Sequence, residues 1–136
     1  MLLPLPDIQE QRRIAIERST VDQIAQLSQN AKAPAPDVAL DIDESEYSTD
    51  HMLTKAQGWR APDPAIVRAY FDQFQRAFPE YKTDKKLGNL LGETHDRRIR
   101  AFKSGDQKVP YAMWRRFLIM TGRVQQEITP VYGIMK

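Results

Sequence analysis

Apolar residues recur at three- and four-residue steps in several stretches of the chain, which is the period of an amphipathic helix. The clearest stretch runs from Asp63 to Phe78, where an aspartate that can cap a helix and a first-turn proline precede the apolar stripe. Pro79 ends the pattern, because proline disfavours helical backbone in the residue before it. We interpret the stripe as core rather than as a ligand site. It consists of Ile66, Val67, Tyr70, Phe71, Phe74 and Phe78.

A short helix is predicted next, beginning at Thr83 or Asp84 and ending at Gly92. Glycine suits the left-handed conformation that commonly follows a helix. Gly88 lies inside this helix, where glycine costs about 1 kcal/mol relative to alanine. We therefore expect another part of the backbone to approach closely at that position. The residues expected on the buried face are Leu87, Leu90 and Leu91.

Another helix is predicted between Thr94 and Gly105. Thr94 can cap it, and Asp96 falls in its first turn, where a carboxylate interacts favourably with the helix dipole. Ile99 and Phe102 are expected on its inner face.

The last helix is predicted to open at Val109-Pro110 and to end by Gly122. Proline suits a helix start because its missing N–H has no partner there. The residues expected to pack inward are Tyr111, Trp114, Phe117, Leu118 and Met120.

The N-terminal part has a weaker helical pattern. Asp7 can cap a helix over residues 7–30, and its apolar residues fall broadly on one side. The segment is polar overall and cannot form a core alone. We predict an N-terminal helical extension, residues 1–30, that contacts a second copy or another protein, and the alternative is a helix of marginal stability. The apolar residues are Ile14, Ile16, Val21, Ile24 and Leu27.

Charge is divided unevenly along the chain. The net charge is +2 and the isoelectric point about 8.9, but residues 1–58 have a balance of −5 and residues 59–136 a balance of +7. Electrostatic fields are local, because salt screens them beyond about 8 Å under physiological conditions. The basic half is therefore suited to a polyanion partner.

Residues 31–58 are predicted to form a linker. The prolines of AKAPAP favour extended backbone, and DVALDIDESEYSTD has six acidic residues and no basic one. We expect a solvated, disordered tether. Two alternatives stay open: the acidic segment competes with a nucleic acid for the basic half, or it binds a protein partner.

Composition sets further bounds. A length of 136 residues with 41% apolar content allows one ordinary domain with extensions. No apolar run approaches the roughly 20 residues of a membrane span, and the N-terminal residues lack the pattern of a secretory signal. The absence of cysteine excludes disulfides and thiolate metal sites. We expect a cytoplasmic protein that does not bind a membrane.

Residues 59–122, a little under half of the chain, carry an ordered set of motifs. In order and spacing they resemble the lambda repressor/Cro-like (Xre-type) helix-turn-helix family, in variants typical of phages and mobile elements. One departure is the seven-residue step from Gly92 to Ile99, where six is usual, so the turn is one residue longer. The motifs are Trp59-Arg60-Ala61-Pro62, Leu87-Gly88 with Leu91-Gly92, Ile99 with Phe102, Gly105, and Val109-Pro110-Tyr111-Ala112-Met113-Trp114.

The resemblance implies a small all-α bundle with a helix-turn-helix over residues 59–124, followed by a tail at 125–136. It also implies a transcriptional regulator, such as a repressor, that binds double-stranded DNA as a homodimer. The helix at 95–103 would enter the major groove, and Arg97 and Arg100 would contact base edges, because guanidinium groups bind guanine bidentately.

Helical spacing places Arg97, Arg100 and Lys103 outward together with Asp96, and Arg98 on the flank. His95 is expected on the inner side with Ile99. The alternative for this charged face is a solvated surface without a ligand. Further DNA contacts are expected from Thr94, His95, Asp96, Arg98, Lys103, Lys108, Lys85 and Lys82.

Catalytic chemistry is not predicted. His51 and His95 lie 44 residues apart without a metal-binding spacing, no serine has a nucleophile-elbow context, and no phosphate-binding loop is present. We expect no enzyme activity, no cofactor and no metal. The alternative function is a protein-interaction module, such as an antitoxin or an accessory factor of a mobile element, that binds a protein partner through residues 1–58.

Overall fold

The computed structural model describes residues 4–93 and 95–136, and all regular structure in these residues is helical. The predicted all-α class is confirmed. Short 3-10 turns lie at Glu44–Glu46, Asp50–Met52, Lys55–Gln57 and Pro79–Tyr81. The α-helices of the described residues are α1 (Ile8–Asn30), α2 (Pro64–Ala77), α3 (Asp84–Leu90), α4 (Asp96–Ser104) and α5 (Tyr111–Met120).

The predicted starts of α1, α2 and α3 are confirmed by capping hydrogen bonds. The Asp7 carboxylate accepts from the Glu10 backbone N–H at 2.8 Å, and Asp63 accepts from Ala65 N–H at 2.9 Å. The Thr83 hydroxyl accepts from the Lys86 N–H at 3.2 Å. Each bond satisfies one of the backbone donors that a helix leaves unpaired at its start. None of the described helices is long and apolar enough to cross a membrane.

The chain divides into two compact units. One unit contains α1 and Ile128–Lys136, and the other is Pro36–Glu127. In the first unit the C-terminal tail is joined to the start of α1, because Gln9 Nε2 donates to the Ile134 carbonyl at 2.7 Å and Arg12 Nη1 donates to the Met135 carbonyl at 2.8 Å. No described residue of this unit is buried.

The second unit holds the core, which is built from the predicted stripe of α2 together with α3, α4 and α5. Its centre is aromatic: the Tyr70 and Trp114 rings stack at 5.7 Å, and Phe117 meets Phe71 edge-on at 4.9 Å. Of the inward residues predicted for α5, Trp114, Phe117 and Leu118 are buried. Met120, the last residue of α5, is exposed, and that prediction is wrong. Met113 is buried in addition.

The predicted linker differs from the structure after Pro36. We call residues 38–59 the docked segment, because its apolar side chains pack against the core. Gln73 Nε2 of α2 donates to the Val38 carbonyl at 2.8 Å, and Arg76 Nη2 donates to the Ala39 carbonyl at 2.9 Å. The expectation of a disordered tether is therefore wrong here. The physical reason is that apolar residues alternate with the acids: Leu40, Ile42, Tyr47, Met52 and Trp59 are partly buried on the core.

The acidic side chains of the docked segment have partners close by. Asp41 lies 3.3 Å from Arg76, and the Tyr70 hydroxyl donates to Glu44. Among the described residues, no ion pair joins this segment to α4. The ion pairs of this segment with the basic half are made by Arg60 and Arg76. The alternative of competition with a nucleic acid for the basic half stays a prediction.

His51 is the buried polar centre of the docked segment, with 3% of its surface exposed. Its Nδ1 accepts a hydrogen bond from Trp114 Nε1 at 3.1 Å, and its carbonyl accepts one from Trp59 Nε1 at 3.1 Å. Because Nδ1 is an acceptor here, the neutral ring carries its proton on Nε2. Sequence patterns gave no sign of this role, since a lone histidine has no periodicity.

Burial lowers the pKa of His51, the neighbouring carboxylates of Glu44 and Asp50 oppose this shift, and Arg123 adds to it. Tyr70, whose ring meets His51 edge-on, has its own pKa raised by burial and by its hydrogen bond to Glu44. Protonation of His51 would also place an N–H against the indole N–H of Trp114. The folded protein therefore favours the neutral ring.

We expect the free energy of unfolding to fall as the pH drops below the ordinary histidine value of about 6.5. The unfolded chain then binds a proton that the folded chain excludes, so stability is lost by up to about 1.4 kcal/mol per pH unit until the lowered folded pKa is passed. Urea unfolding between pH 7.5 and 5.5 measures this loss. His51→Asn, which keeps an acceptor near Nδ1, should flatten the dependence, and His95→Asn, at an exposed site, should not. A flat wild-type profile would contradict the prediction.

Candidate functional site

The candidate site is built on α3 and α4, which pack against each other, while α4 also packs on α2. A Cβ atom at Gly88 would lie 3.3 Å from Ile99 Cγ1 of α4. The predicted close approach at Gly88 therefore exists: the nearest neighbour is the Ile99 side chain, the Glu93 backbone oxygen would lie 4.0 Å from the added Cβ, and the Glu93 N–H donates to the Gly88 carbonyl at 2.7 Å. Gly92 has a φ of +86°, so the predicted left-handed residue after α3 is confirmed. Together these glycines permit a tight connection between two short helices.

The outer face of α4 carries Arg97 and Arg100, both exposed as predicted. The inner face is fixed by Ile99 and Phe102, which are 0% and 1% exposed. Arg100 Nη2 lies 3.5 Å from Asp96 Oδ1 one turn earlier. An exposed ion pair of this kind contributes about 0.3–0.5 kcal/mol and is easily exchanged for another partner. Within the described part of the chain, the Arg97 side chain has no hydrogen bond or ion pair.

Arg98 lies on the flank, as predicted, and is partly engaged. Its Nη1 is 3.4 Å from Glu93 Oε1, and its guanidinium lies 5.3 Å from the centre of the Phe102 ring. Through these two contacts the Arg98 side chain links Glu93, which precedes α4, to the ring of Phe102 at the edge of the core. The Arg98 side chain is thus held more firmly than those of Arg97 and Arg100.

The start of α4 differs from the prediction. His95 is exposed, and the expectation that it faces inward with Ile99 is wrong. The reason is that His95 is the N-cap and has extended backbone, φ −127° and ψ 129°, so the helical period does not apply to it. Asp96 is half-buried. Thr94, predicted as the cap and as a DNA contact, lies outside the described residues.

Lys103 does not project outward, and that prediction is wrong. Only 17% of its side chain is exposed. Its Nζ donates to Asp72 Oδ1 at 3.0 Å and to Gln75 Oε1 at 2.8 Å on α2, and to Asp84 Oδ1 at 2.9 Å at the start of α3. Two acids from other helices thus attract the ammonium group into the bundle.

Exposed lysines flank the site. Lys82 and Lys85 lie just before and in the first turn of α3, and Lys108 lies before α5; all three are exposed. Lys86, also exposed, was not predicted, although it adjoins Lys85 in the same basic run. Because Lys103 joins the end of α4 to Asp84, the lysines at the start of α3 lie near the C-terminal end of α4.

Comparisons with protein-family models, with curated proteins and with solved structures give no match for this chain. In the residues that the structure describes, no three histidine or acidic side chains group together as metal ligands would.

Proposed function

We propose that this protein is a sequence-specific DNA-binding transcriptional regulator of the lambda repressor/Cro-like helix-turn-helix type, with α4 in the major groove. One observation carries the proposal: α4 is held on its inner face and presents Arg97 and Arg100 on its outer face. An α-helix with its side chains is about 10–12 Å in diameter, and such a helix fits a major groove about 12 Å wide. Two guanidinium groups on a firmly held helix suit bidentate binding to guanine.

The flanking lysines support the same proposal. Lys82, Lys85, Lys86 and Lys108 are exposed, and long cationic side chains around a groove-binding helix suit contacts with the phosphate backbone. Such contacts add affinity for every sequence and make binding strongly dependent on salt.

The direct test is the binding of the purified chain to a fluorescent duplex that carries its own upstream DNA, compared with a random duplex, at two salt concentrations. Preference for the first duplex, with affinity that falls as salt rises, would support the proposal. Equal and weak binding to both duplexes would contradict it, and the alternative of a protein-interaction module would then take its place.

We further propose that α1 joins two copies of the chain, since a two-fold arrangement is the usual way for small helix-turn-helix domains to gain specificity. α1 has no buried residue, and it exposes Ile14, Ile16, Val21 and Ile24 within one broad arc of its surface. It has three basic and three acidic residues, so a copy of itself meets no net repulsion.

Val21→Glu combined with Ile24→Glu is expected to convert a dimer into a monomer, as measured by light scattering on the full-length chain. A charge in each apolar position would cost free energy if that face were buried between copies. Gln26→Glu, on the other side of α1, is the matched control and should leave the mass unchanged. A wild-type monomer that co-purifies with a stoichiometric protein partner would instead favour the interaction-module alternative.

A further inference from the structure

The last turn of α4 is joined to two other helices through one ammonium group. Lys103 Nζ has three N–H donors, and the three acceptors Asp72, Gln75 and Asp84 lie 2.8 to 3.0 Å from it. No donor remains for a further ligand. Lys103, four residues after the buried Ile99 and on the same side of α4, is thus fully engaged inside the bundle.

The acceptors are themselves held in place. Gln75 is 8% exposed, and its Nε2 donates to Asp84 Oδ1 at 3.2 Å while its Oε1 accepts from Lys103. The three side chains Lys103, Gln75 and Asp84 therefore form a closed set of hydrogen bonds linking α4, α2 and α3. We call Lys103, Asp72, Gln75 and Asp84 the interhelix network.

A second contact holds the same end of α4. Arg68 Nη1 of α2 donates to the Lys103 carbonyl at 3.2 Å. A Cβ at Gly105, which follows α4 with a φ of +89°, would lie 2.8 Å from Pro64 Cγ, so the chain passes very close to the start of α2. The interhelix network is thus part of a region where α4 and α2 are closely joined.

We propose that Lys103 is a positioning residue that sets the rotation and tilt of α4, and with them the direction of Arg97 and Arg100, and that it makes no DNA contact. The expected effect of Lys103 on DNA binding rests on the proposed function. Its expected effect on the position of α4 does not. Arg97 and Arg100 lie about 9 and 4.5 Å along the helix axis from Lys103. A change in the rotation of α4 therefore moves both guanidinium groups together, and bidentate contacts tolerate little displacement.

The first experiment compares Lys103→Met with Lys108→Met, an identical change at an exposed lysine. Affinities for the preferred and random duplexes are measured over a series of salt concentrations, at a temperature where both variants are folded. Lys103→Met should lower the ratio of the two affinities about tenfold or more and leave the salt slope unchanged. Lys108→Met should weaken both duplexes alike and lower the slope by about 1.

Two results would overturn the role assigned to Lys103. One is a salt slope that falls by about 1 with an unchanged affinity ratio, which is the behaviour of a phosphate contact. The other is an unchanged ratio and slope in a folded but less stable variant, which would leave Lys103 a purely structural residue. Asp72→Asn removes the negative charge of one of the three acceptors at a half-exposed position and provides a milder variant if Lys103→Met does not fold.

Hydrogen exchange without DNA tests the positioning directly. In Lys103→Met, amides in the last turn of α4 should exchange faster while those of α5 keep the wild-type rate, because only α4 loses its connection to α2 and α3. Equal acceleration in both helices, or none in either, would overturn the proposal. If the wild-type chain does not discriminate between duplexes, the proposed function fails, and the exchange result still decides the role of Lys103.

Discussion

Replacing Arg97 and Arg100 together with alanine is expected to remove most of the preference for a specific duplex. Each bidentate arginine contact to a base contributes about 1–3 kcal/mol of discrimination, so the pair corresponds to about 2–6 kcal/mol. Arg97→Ala alone should relax the preference by about 1–3 kcal/mol. Fluorescence titration of the preferred and random duplexes at one salt concentration measures this discrimination. The fold should persist, because both side chains are exposed and outside the core.

Lys108→Ala is the matched control for this experiment. Its side chain is exposed in the loop before α5, and its removal should weaken binding to every sequence alike and lower the salt slope by about 1. An equal loss on specific and random duplexes for Arg97→Ala would contradict base recognition by α4. It would make Arg97 another backbone contact.

Trp114→Ala is expected to destabilise the protein by about 3–5 kcal/mol, the usual cost of removing a buried aromatic side chain. Trp114 is fully buried, it lies against the rings of Tyr70 and Phe71, and its Nε1 donates to His51 Nδ1. Its loss would leave a large cavity and a buried imidazole without its donor. Because whole domains are stable by about 5–15 kcal/mol, a large share of the total is removed.

Urea unfolding followed by circular dichroism measures the effect. Tyr132→Ala, at a position that is 97% exposed, is the control and should change stability by less than about 0.5 kcal/mol. A loss below about 1 kcal/mol for Trp114→Ala would show that the aromatic centre is not the main source of stability.

Local patterns predicted the helices well. The start of α2 follows from Asp63 and Pro64, and its stripe follows from the three- and four-residue steps. The buried pair of α4, Ile99 and Phe102, follows from the same period. Helix starts and buried faces depend on residues within one or two helical turns of each other. They can therefore be predicted from one sequence.

The features that sequence patterns did not predict depend on distant residues. Lys103 lies four residues after the buried Ile99, so the helical period already favours an inward position. Its partners Asp72 and Asp84, which lie 31 and 19 residues earlier, meet at its ammonium group only after the helices pack. The docked segment orders because its alternating apolar side chains fit a surface that exists only after the helices pack. For Arg97 and Arg100 the spacing was sufficient, because an exposed outer face needs no partner.

The hydrogen bond between His51 and Trp114 limits where a shorter fragment of this domain can begin. A fragment that begins at Trp59, where the strong helical pattern starts, would lack the imidazole that accepts from the indole N–H. It would also lose the apolar cover supplied by Leu40, Ile42, Tyr47 and Met52. The minimal unit that retains the whole core begins at Pro36. A shorter expressed fragment would expose aromatic surface and would tend to aggregate.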